Sequence, residues 1–187
     1  MNWDVQRSLN SAVPRSLGGL GVLSSAEWAD LPTIQALAAS LIGPPVANLK
    51  FVQTVYRCGH ALFWKLVEQD QITAILAVLL LSSEGETALV SGEFDGLAPA
   101  MSQLASRGSI FALYGWACAG ATPEGRRAVM QATALLLNRV QTDLPFYAHA
   151  ATPEGRRALT NRLGCTPAPG PAAGLFWRPA SRHSAAA

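Results

Sequence analysis

The sequence predicts an α/β protein whose mixed, mostly antiparallel central sheet is flanked by helices and preceded by an N-terminal helical extension. Two apolar runs at 61–67 and 72–81, separated by a short polar turn, predict an antiparallel hairpin. The second run, ITAILAVLLL, is apolar on both faces, so we expect other elements to cover both sides of it. From residue 109 onward strand and helix patterns alternate, which implies at least one parallel pair of strands joined by a right-handed crossover.

Composition and charge exclude several classes of protein. Half of the 187 residues are apolar, 14% are charged and the net charge is +2, so the chain is neither disordered nor broadly adapted to nucleic acid or an anionic membrane. The richest apolar run, Ile72 to Leu81, is about half the roughly 20 residues that span a bilayer. The N-terminus lacks the apolar core of a signal peptide, and the three cysteines lack metal-type spacing. These features predict a cytoplasmic protein without a metal ion.

The N-terminal extension is predicted to comprise residues 1–48, with residues 49–187 forming the main domain. The first 23 residues include a glycine-rich LGGLG segment and favour irregular structure. A helix then begins near Ser25, or at Pro32 where a first-turn proline is tolerated, and Gly43 with the two following prolines ends it. We expect the extension to pack on the main domain as one compact unit.

The main domain contains short and long elements in a clear order. Residues 48–56 favour a short helix of ambiguous type, and the hairpin follows it. The later elements are short helices at 84–91 and 97–105, a buried strand at 109–119, a long helix at 122–140, a strand at 144–150, a helix at 153–163 and a short strand at 175–178.

An octapeptide, ATPEGRRA, occurs identically at 121–128 and 151–158. Each copy follows a predicted strand and opens a predicted helix, with threonine suited to the N-cap and proline to the first helical position. One interpretation is that a good helix start is simply used twice. The other is that the helix N-terminus binds an anion through its amides and through Arg126 and Arg127, and this is better founded for the first copy.

The order of these elements resembles the GNAT family of N-acyltransferases, of which the chain looks like a divergent member. Three segments carry the resemblance. Ile110 to Ala119 is similar to the central strand that pairs with the pantetheine arm of the cofactor. The loop and helix after it are similar to the phosphate-binding loop and helix, and Arg157 to Cys165 resembles the family's helix that ends in Leu-Gly-Phe.

The resemblance implies a function and a set of cofactor contacts. The expected reaction is direct transfer of an acyl group from acetyl-CoA, or another acyl-CoA, to an amine of a small molecule or peptide. The family's loop reads Gln/Arg-x-x-Gly-x-Gly/Ala, and only Gly125 agrees with it. The residues implied in cofactor binding are Trp116, Ala117, Cys118, Ala119, Thr122, Gly125, Arg126 and Arg127.

Three residues are candidates for acid–base catalysis. His149 ends the strand beside the expected gap in the sheet, and its ordinary pKa suits proton transfer near neutral pH. Tyr114 could act through its hydroxyl, although strand aromatics usually belong to the core. The resemblance places the family's frequent tyrosine general acid at Thr160, a poor acid for a thiolate. If the chain is an enzyme, another residue or solvent then protonates the thiolate. The alternative is that the chain is a non-catalytic member of the family that binds a ligand or a protein partner. The partner could be a second copy of the chain, in a homodimer.

Overall fold

The computed structural model describes residues 23–105, 109–140 and 144–180 of the chain. Seven strands form one sheet in the order β1-β2-β3-β4-β5-β7-β6. Its neighbouring strands pair antiparallel except β4 and β5, which are parallel, so the predicted mixed, mostly antiparallel sheet is confirmed. The strands are β1 (Leu23–Ser25), β2 (Ala61–Glu68), β3 (Gln71–Leu81), β4 (Ala112–Gly120), β5 (Phe146–His149), β6 (Thr166–Pro167) and β7 (Leu175–Arg178).

Five α-helices surround the sheet in the described part of the chain. They are α1 (Leu31–Ile42), α2 (Leu49–Arg57), α3 (Ser83–Ser91), α4 (Pro123–Val140) and α5 (Pro153–Asn161). Side-chain caps explain several of their starts, because a capping oxygen satisfies an amide that has no partner inside the helix. Asn48 accepts from the Phe51 amide at 2.9 Å, and Ser82 accepts from the Gly85 amide at 3.2 Å.

The β2–β3 hairpin forms where the polar turn predicts it. Gln69 and Asp70 at its tip have φ of +50° and +60°, the backbone of a tight turn that matches the twist of the flanking strands. Pairing runs from Ala61 with Leu79 to Glu68 with Gln71. The turn therefore fixes the register that places alternate residues on opposite faces.

Helices cover both faces of the sheet, as the apolar β3 run predicts. On one face, α4 and α5 bury a cluster that includes Trp64, Leu76 and Leu136. On the other, α1, α2 and α3 bury a cluster that includes Phe63 and Ile75. Ile75 and Leu76 are successive residues of β3 and almost wholly buried, which is the pattern of a strand at the centre of three layers.

Some boundaries differ from the sequence predictions. The helix predicted at 97–105 is wrong: the described structure has only a short 3₁₀ turn at Met101–Gln103, and Leu104 then forms a β-bridge with Leu81. Strand β1, which lies inside the predicted extension, pairs with β2, and Leu31 and Ile34 of α1 pack in the same core cluster as Phe63 and Ile75 of the sheet. Of the segment predicted to be irregular, 1–23, residues 1–22 lie outside the described residues and Leu23 belongs to strand β1. The division at residue 48 stays a prediction.

Candidate functional site

The candidate site lies where β4 and β5 separate. The two strands pair in parallel from Leu113 with Phe146 to Gly115 with Ala148, and the pairing ends there. On the opposite edge of β4, the register with β3 shifts by one residue, and Trp116 is the extra residue of a β-bulge. A bulge bends its strand and increases its twist, which explains why β4 turns away from β5 at this point.

The separation opens a cleft of about 850 Å³ on the face that α4 and α5 cover. Its walls are β4 beyond Gly115, the first turns of α4, the end of β5, and α5. Residues 116–120 of β4 have no strand partner on the β5 side among the described residues. Their backbone groups on that edge can therefore pair with an extended ligand that enters the cleft.

Both copies of the octapeptide open a helix at this cleft. Thr122 Oγ1 accepts from the Gly125 amide at 2.9 Å, and Thr152 Oγ1 accepts from the Gly155 amide at 3.0 Å. The prediction of two capped helix starts is therefore confirmed. The cap also occupies the Gly125 amide, which reduces what this position can offer to an anion.

Close packing explains the glycines at the end of β4 and the start of α4. A Cβ on Gly125 would lie 3.1 Å from the Cβ of Ala74, which is buried on β3. A Cβ on Gly120 would lie 2.5 Å from the backbone nitrogen of Arg126. Both glycines let the helix sit tightly against the sheet, so Gly125 has a packing reason independent of any ligand.

Positive charge dominates the polar lining of the cleft. Four arginines and one glutamate contribute to its walls in the described structure: Arg126, Arg127, Arg157, Arg162 and Glu154. Arg126 turns back, and its Nη1 donates to the carbonyl of Gly120 at 3.3 Å. Arg157 forms an exposed ion pair of 2.7 Å with Glu154. Arg127 is exposed at the first turn of α4 and faces the cleft, which is where an anion would approach.

A second cavity of about 300 Å³ lies on the other face, beneath α1 and the loop at 94–97. It meets the cleft at the gap between the strands, since Trp116, His149 and other residues of the gap line both spaces. The indole of Trp116 points to this side and donates to the carbonyl of Gly96 at 2.7 Å. The gap therefore connects a charged cleft with a more apolar cavity.

Two candidate acid–base residues meet at this junction. The Tyr114 hydroxyl and His149 Nδ1 are hydrogen-bonded at 3.2 Å. Burial raises the pKa of Tyr114 to about 12, so its hydroxyl stays protonated. Burial also lowers the pKa of His149, partly offset by a hydrogen bond with the backbone of Ala173, so its imidazole is neutral at pH 7.

No protein-family model matches this sequence, and no curated protein matches it. Solved structures do match it in fold. A GNAT-family acetyltransferase from Streptococcus agalactiae 2603 has a TM-score of 0.53 at 16% identity, over 83% of this chain and 93% of the other. RimL, a ribosomal L7/L12 α-N-protein acetyltransferase, has a TM-score of 0.51 at 14% identity, over 90% of this chain and 97% of the other.

The chain has the GNAT fold. The likeness extends over most of both chains, and the fold expected from the order of sequence elements is confirmed. At these identities the likeness is one of architecture, so any role for a residue is argued from the geometry of this molecule.

Within this GNAT fold, Cys118 lies on the floor of the cleft. Its Sγ is 3.8 Å from Thr133 Oγ1 and 3.9 Å from Met130 Sδ. Cys118 is exposed to the cleft, yet the protein around it desolvates the thiolate and raises the pKa of the thiol to about 11. Cys118 is therefore a neutral thiol at pH 7, unlike an activated nucleophile.

Thr160 does not reach the cleft with its hydroxyl. Its Oγ1 donates to the carbonyl of Arg156 at 3.1 Å, inside its own helix, and the residue is not part of the cleft wall. A threonine hydroxyl that bonds to the preceding turn is a common arrangement in helices. The structure brings Tyr114 and His149 together but leaves Thr160 apart from them.

Several residues of the site escaped sequence reasoning. Arg157 and Arg162 line the cleft. The sequence did not point to them, because the second octapeptide is explained simply as a helix start. Gly120 was also missed, and a signal for it existed: it is the glycine directly before the first octapeptide, where strand and helix approach most closely.

Two further properties of the described residues bear on function. No helix among them combines the length and apolarity needed to cross a membrane. Residues 23–105, 109–140 and 144–180 also contain no group of three histidine, cysteine or acidic side chains placed to hold a metal ion.

Proposed function

We propose that this protein is a divergent GNAT-family enzyme that transfers an acyl group from an acyl-CoA to an amine. The single observation that carries the proposal is the gap between β4 and β5, which joins the arginine-lined cleft to an apolar cavity beside His149. Such a passage suits an elongated ligand with an anionic end and an apolar end. Acyl-CoA has this form, and its thioester supplies an activated acyl group.

The residues of the cleft fit the phosphates of CoA through side chains. Arg127 is exposed at the N-terminus of α4, where the helix dipole also favours an anion. Arg157 and Arg162 add positive charge from the α5 side. Arg126 contributes through its charge, and its hydrogen bond to the Gly120 carbonyl holds the turn between β4 and α4. We therefore assign the phosphate contacts mainly to arginine side chains, with fewer backbone amides than the family's loop would supply.

The free edge of β4 fits the amide-bearing arm of the cofactor. Backbone groups of Trp116, Ala117, Cys118 and Ala119 lie on the segment that has no strand partner toward β5 in the described structure. A polar backbone edge in a cleft gains stability when an extended ligand pairs with it. This assignment uses the backbone of Cys118 and requires nothing of its thiol.

His149 is proposed as the group that accepts the amine proton. Its lowered pKa keeps it neutral at pH 7, and a general base must be unprotonated to act. Tyr114 is proposed to hold the imidazole in place. Its pKa of about 12 lies well above the ordinary value of about 8.5 for a thiol, so proton donation from Tyr114 to a thiolate is unfavourable. As the C–S bond of the thioester breaks and the amide bond forms, CoA leaves as a thiolate that takes its proton from solvent.

Isothermal titration calorimetry with CoA and acetyl-CoA tests the proposed cofactor site. We expect saturable binding of one molecule per chain. A Cys118→Phe variant, which places a ring on the floor of the cleft, should weaken that binding at least tenfold. Cys58→Phe is the matched control, because Cys58 is also an exposed free cysteine but lies outside the cleft. Absence of binding by wild type to CoA and to every acyl-CoA would refute the proposal.

A second candidate function is a ligand-binding GNAT-fold protein without catalysis. It is favoured by the Gly125 amide, which Thr122 already occupies, and by the position of Thr160 away from the cleft. The two functions separate in one assay of thiol release from acetyl-CoA, with a panel of small amines and peptides as acceptors. Binding of CoA without thiol release for any acceptor would favour the second. The substrate amine, a cytoplasmic location and a homodimer stay predictions.

A further inference from the structure

The cavity beneath α1 is lined mainly by apolar side chains, which determines the kind of group that it can hold. Aliphatic side chains of α1 and of the segment after it, together with Val52, Phe63 and Ile75, form most of its wall. The polar side chains at its edge are Gln35, Tyr114, Trp116 and His149, and the described residues place no carboxylate there. The cavity therefore suits an uncharged apolar group better than a protonated amine, whose burial without a partner is costly.

The position of the cavity relates it to the proposed chemistry. It shares with the cleft residues 115–117 of β4 and residues 149–151, from the last residue of β5 onward, so the two spaces meet at the gap. A ligand whose phosphates lie at Arg127 and whose arm follows β4 would bring its acyl end to this point. The apolar cavity continues from there toward α1, and an amine must reach His149 from another side.

The size of the cavity exceeds what an acetyl group needs. A group the size of a water molecule occupies about 30 Å³, so about 300 Å³ corresponds to roughly ten such groups. The acyl end of acetyl-CoA contributes a single methyl beyond its carbonyl. Because the space is half open to solvent and its lining is mostly apolar, an apolar chain that fills it would remove that lining from water.

We propose that this cavity holds the acyl chain of a medium-length acyl-CoA, with about four to eight carbons in the acyl group. The inference rests on the proposed function and names the class of its acyl donor. Each buried methylene contributes about 0.8 kcal/mol, which corresponds to a gain in affinity of up to about fourfold per carbon. Affinity should therefore rise from acetyl-CoA to hexanoyl-CoA and fall once the chain exceeds the cavity.

Ala38 offers a direct way to narrow the cavity. It lies on α1, is half-buried and lines the space. Ala38→Leu adds apolar volume at a helical position where leucine is well tolerated. Ala36→Leu is the matched control, since Ala36 lies on the same helix, is exposed and does not line the cavity. Thermal unfolding of both variants checks that they fold.

The experiment is calorimetric titration of wild type and both variants with CoA and with acetyl-, butyryl-, hexanoyl- and octanoyl-CoA. For wild type and Ala36→Leu we expect hexanoyl-CoA to bind at least tenfold more tightly than acetyl-CoA. Ala38→Leu should keep its affinity for CoA and acetyl-CoA within twofold and lose the gain with chain length. Ile42→Ala, which widens the space from the end of the same helix, should move the optimum to a longer chain.

The outcomes separate this inference from the proposed function. Binding of CoA and acetyl-CoA with no gain from longer chains would overturn the acyl-chain assignment and leave the acyltransferase proposal standing. Equal chain-length preference in Ala38→Leu and Ala36→Leu would overturn it as well. Failure of every CoA compound to bind would refute both.

Discussion

Tyr114 and His149 are hydrogen-bonded at 3.2 Å although they lie 35 positions apart in the sequence. They come from neighbouring parallel strands, and the pairing of those strands ends one residue after Tyr114, at Gly115. The hydrogen bond therefore lies at the point where the sheet opens. Because both side chains line the cavity beneath α1, they face the same space that the gap connects to the cleft.

Replacement of His149 tests its assignment as the base. His149→Gln keeps a polar side chain but removes the titratable nitrogen, and we expect kcat to fall about 100-fold, the scale of general-base catalysis. The dissociation constant for acyl-CoA should change less than threefold. His60→Gln is the control, because His60 is half-buried outside the cleft and bonds to the Ala105 carbonyl. The measurement is thiol release with a responsive amine, beside calorimetry with the acyl-CoA.

The pH dependence of the rate gives an independent check on the same residue. Burial lowers the pKa of His149 below its usual 6.5, so its neutral form persists into mildly acidic solution. The wild-type rate should fall as the pH drops through this lowered value, and His149→Gln should lose that acidic limb. An unchanged acidic limb in the variant would assign the titration to another group.

Tyr114→Phe separates positioning from proton transfer. The variant keeps the aromatic ring, which lies edge-on to Phe94 with centroids 5.6 Å apart, and removes the hydroxyl. One hydrogen bond contributes about 0.5–1.5 kcal/mol, so we expect kcat to fall about two- to tenfold with the acidic limb retained. A loss as large as that of His149→Gln would instead give the hydroxyl a direct chemical role.

Local patterns in the sequence account for much of the fold. The polar turn at Gln69 and Asp70, the two-sided apolar run of β3 and the two capped octapeptides all depend on neighbours within a few residues, and each is confirmed. Strands β1 and β6, of two or three residues, carry too short a pattern to be recognised. The segment at 97–105 has helical spacing, but the Leu97 amide donates to Asp95 Oδ1 in a turn instead.

The candidate site was harder to predict because it depends on contacts between distant segments. The sequence does not indicate the bulge at Trp116, because the small residues around it show no interruption of the strand pattern. Its consequence, the gap beside His149, requires the parallel pairing of strands separated by a whole helix. Arg157 of the second octapeptide could not be assigned to the site for the same reason, because only the fold brings α5 to the cleft.

Arg127 and Arg126 should differ in their effect on CoA binding, although they are adjacent and identical. Arg127 is exposed at the cleft, whereas the guanidinium of Arg126 bonds to the carbonyl of Gly120. A hydrogen bond to a charged group contributes about 1.5–3 kcal/mol, so Arg127→Ala should weaken CoA binding about tenfold or more. Arg126→Ala should weaken it less and lower the melting temperature more. Calorimetry at two salt concentrations and thermal unfolding distinguish these effects.

A result in which Arg127→Ala binds CoA like wild type would contradict the phosphate assignment. Arg157→Ala provides the matched position in the second octapeptide, where the side chain also lines the cleft but is paired with Glu154. Because that ion pair is exposed, its loss costs little stability. The effect of Arg157→Ala on binding should therefore be smaller than that of Arg127→Ala.

The repeated octapeptide offers a paired test of packing. Alanine usually stabilises a helical glycine position by about 0.4–1 kcal/mol when the new methyl fits. At Gly155 the nearest atom to a new Cβ is 3.4 Å away, so Gly155→Ala should stabilise the protein by that amount. At Gly125 the methyl would lie 3.1 Å from Ala74 on the central strand, so Gly125→Ala should destabilise by about 1 kcal/mol. Denaturant unfolding of the two variants compares them, and equal effects would refute the packing difference.

The ion pair between Asp30 and Lys65 should control how firmly α1 is held on the sheet. Their atoms are 2.6 Å apart, and Asp30 Oδ2 also accepts from the backbone of Glu27. Burial alone would raise the pKa of Asp30, but the hydrogen bonds from Lys65 and Glu27 outweigh it and lower the pKa overall. A lowered carboxyl pKa contributes stability that is present above about pH 4 and is lost as the pH falls through the lowered value.

Asp30→Asn should therefore destabilise the protein by about 1–2 kcal/mol at pH 7, and the difference from wild type should shrink as the pH falls below about 4. Asp70→Asn is the matched control, because Asp70 is exposed in the hairpin turn at a positive φ that asparagine accepts equally well. Urea unfolding at pH 7 and pH 3 measures both effects. If Asp30→Asn lost the same stability at both pH values, the loss would come from packing and the charge of Asp30 would have no part in holding α1 over the cavity.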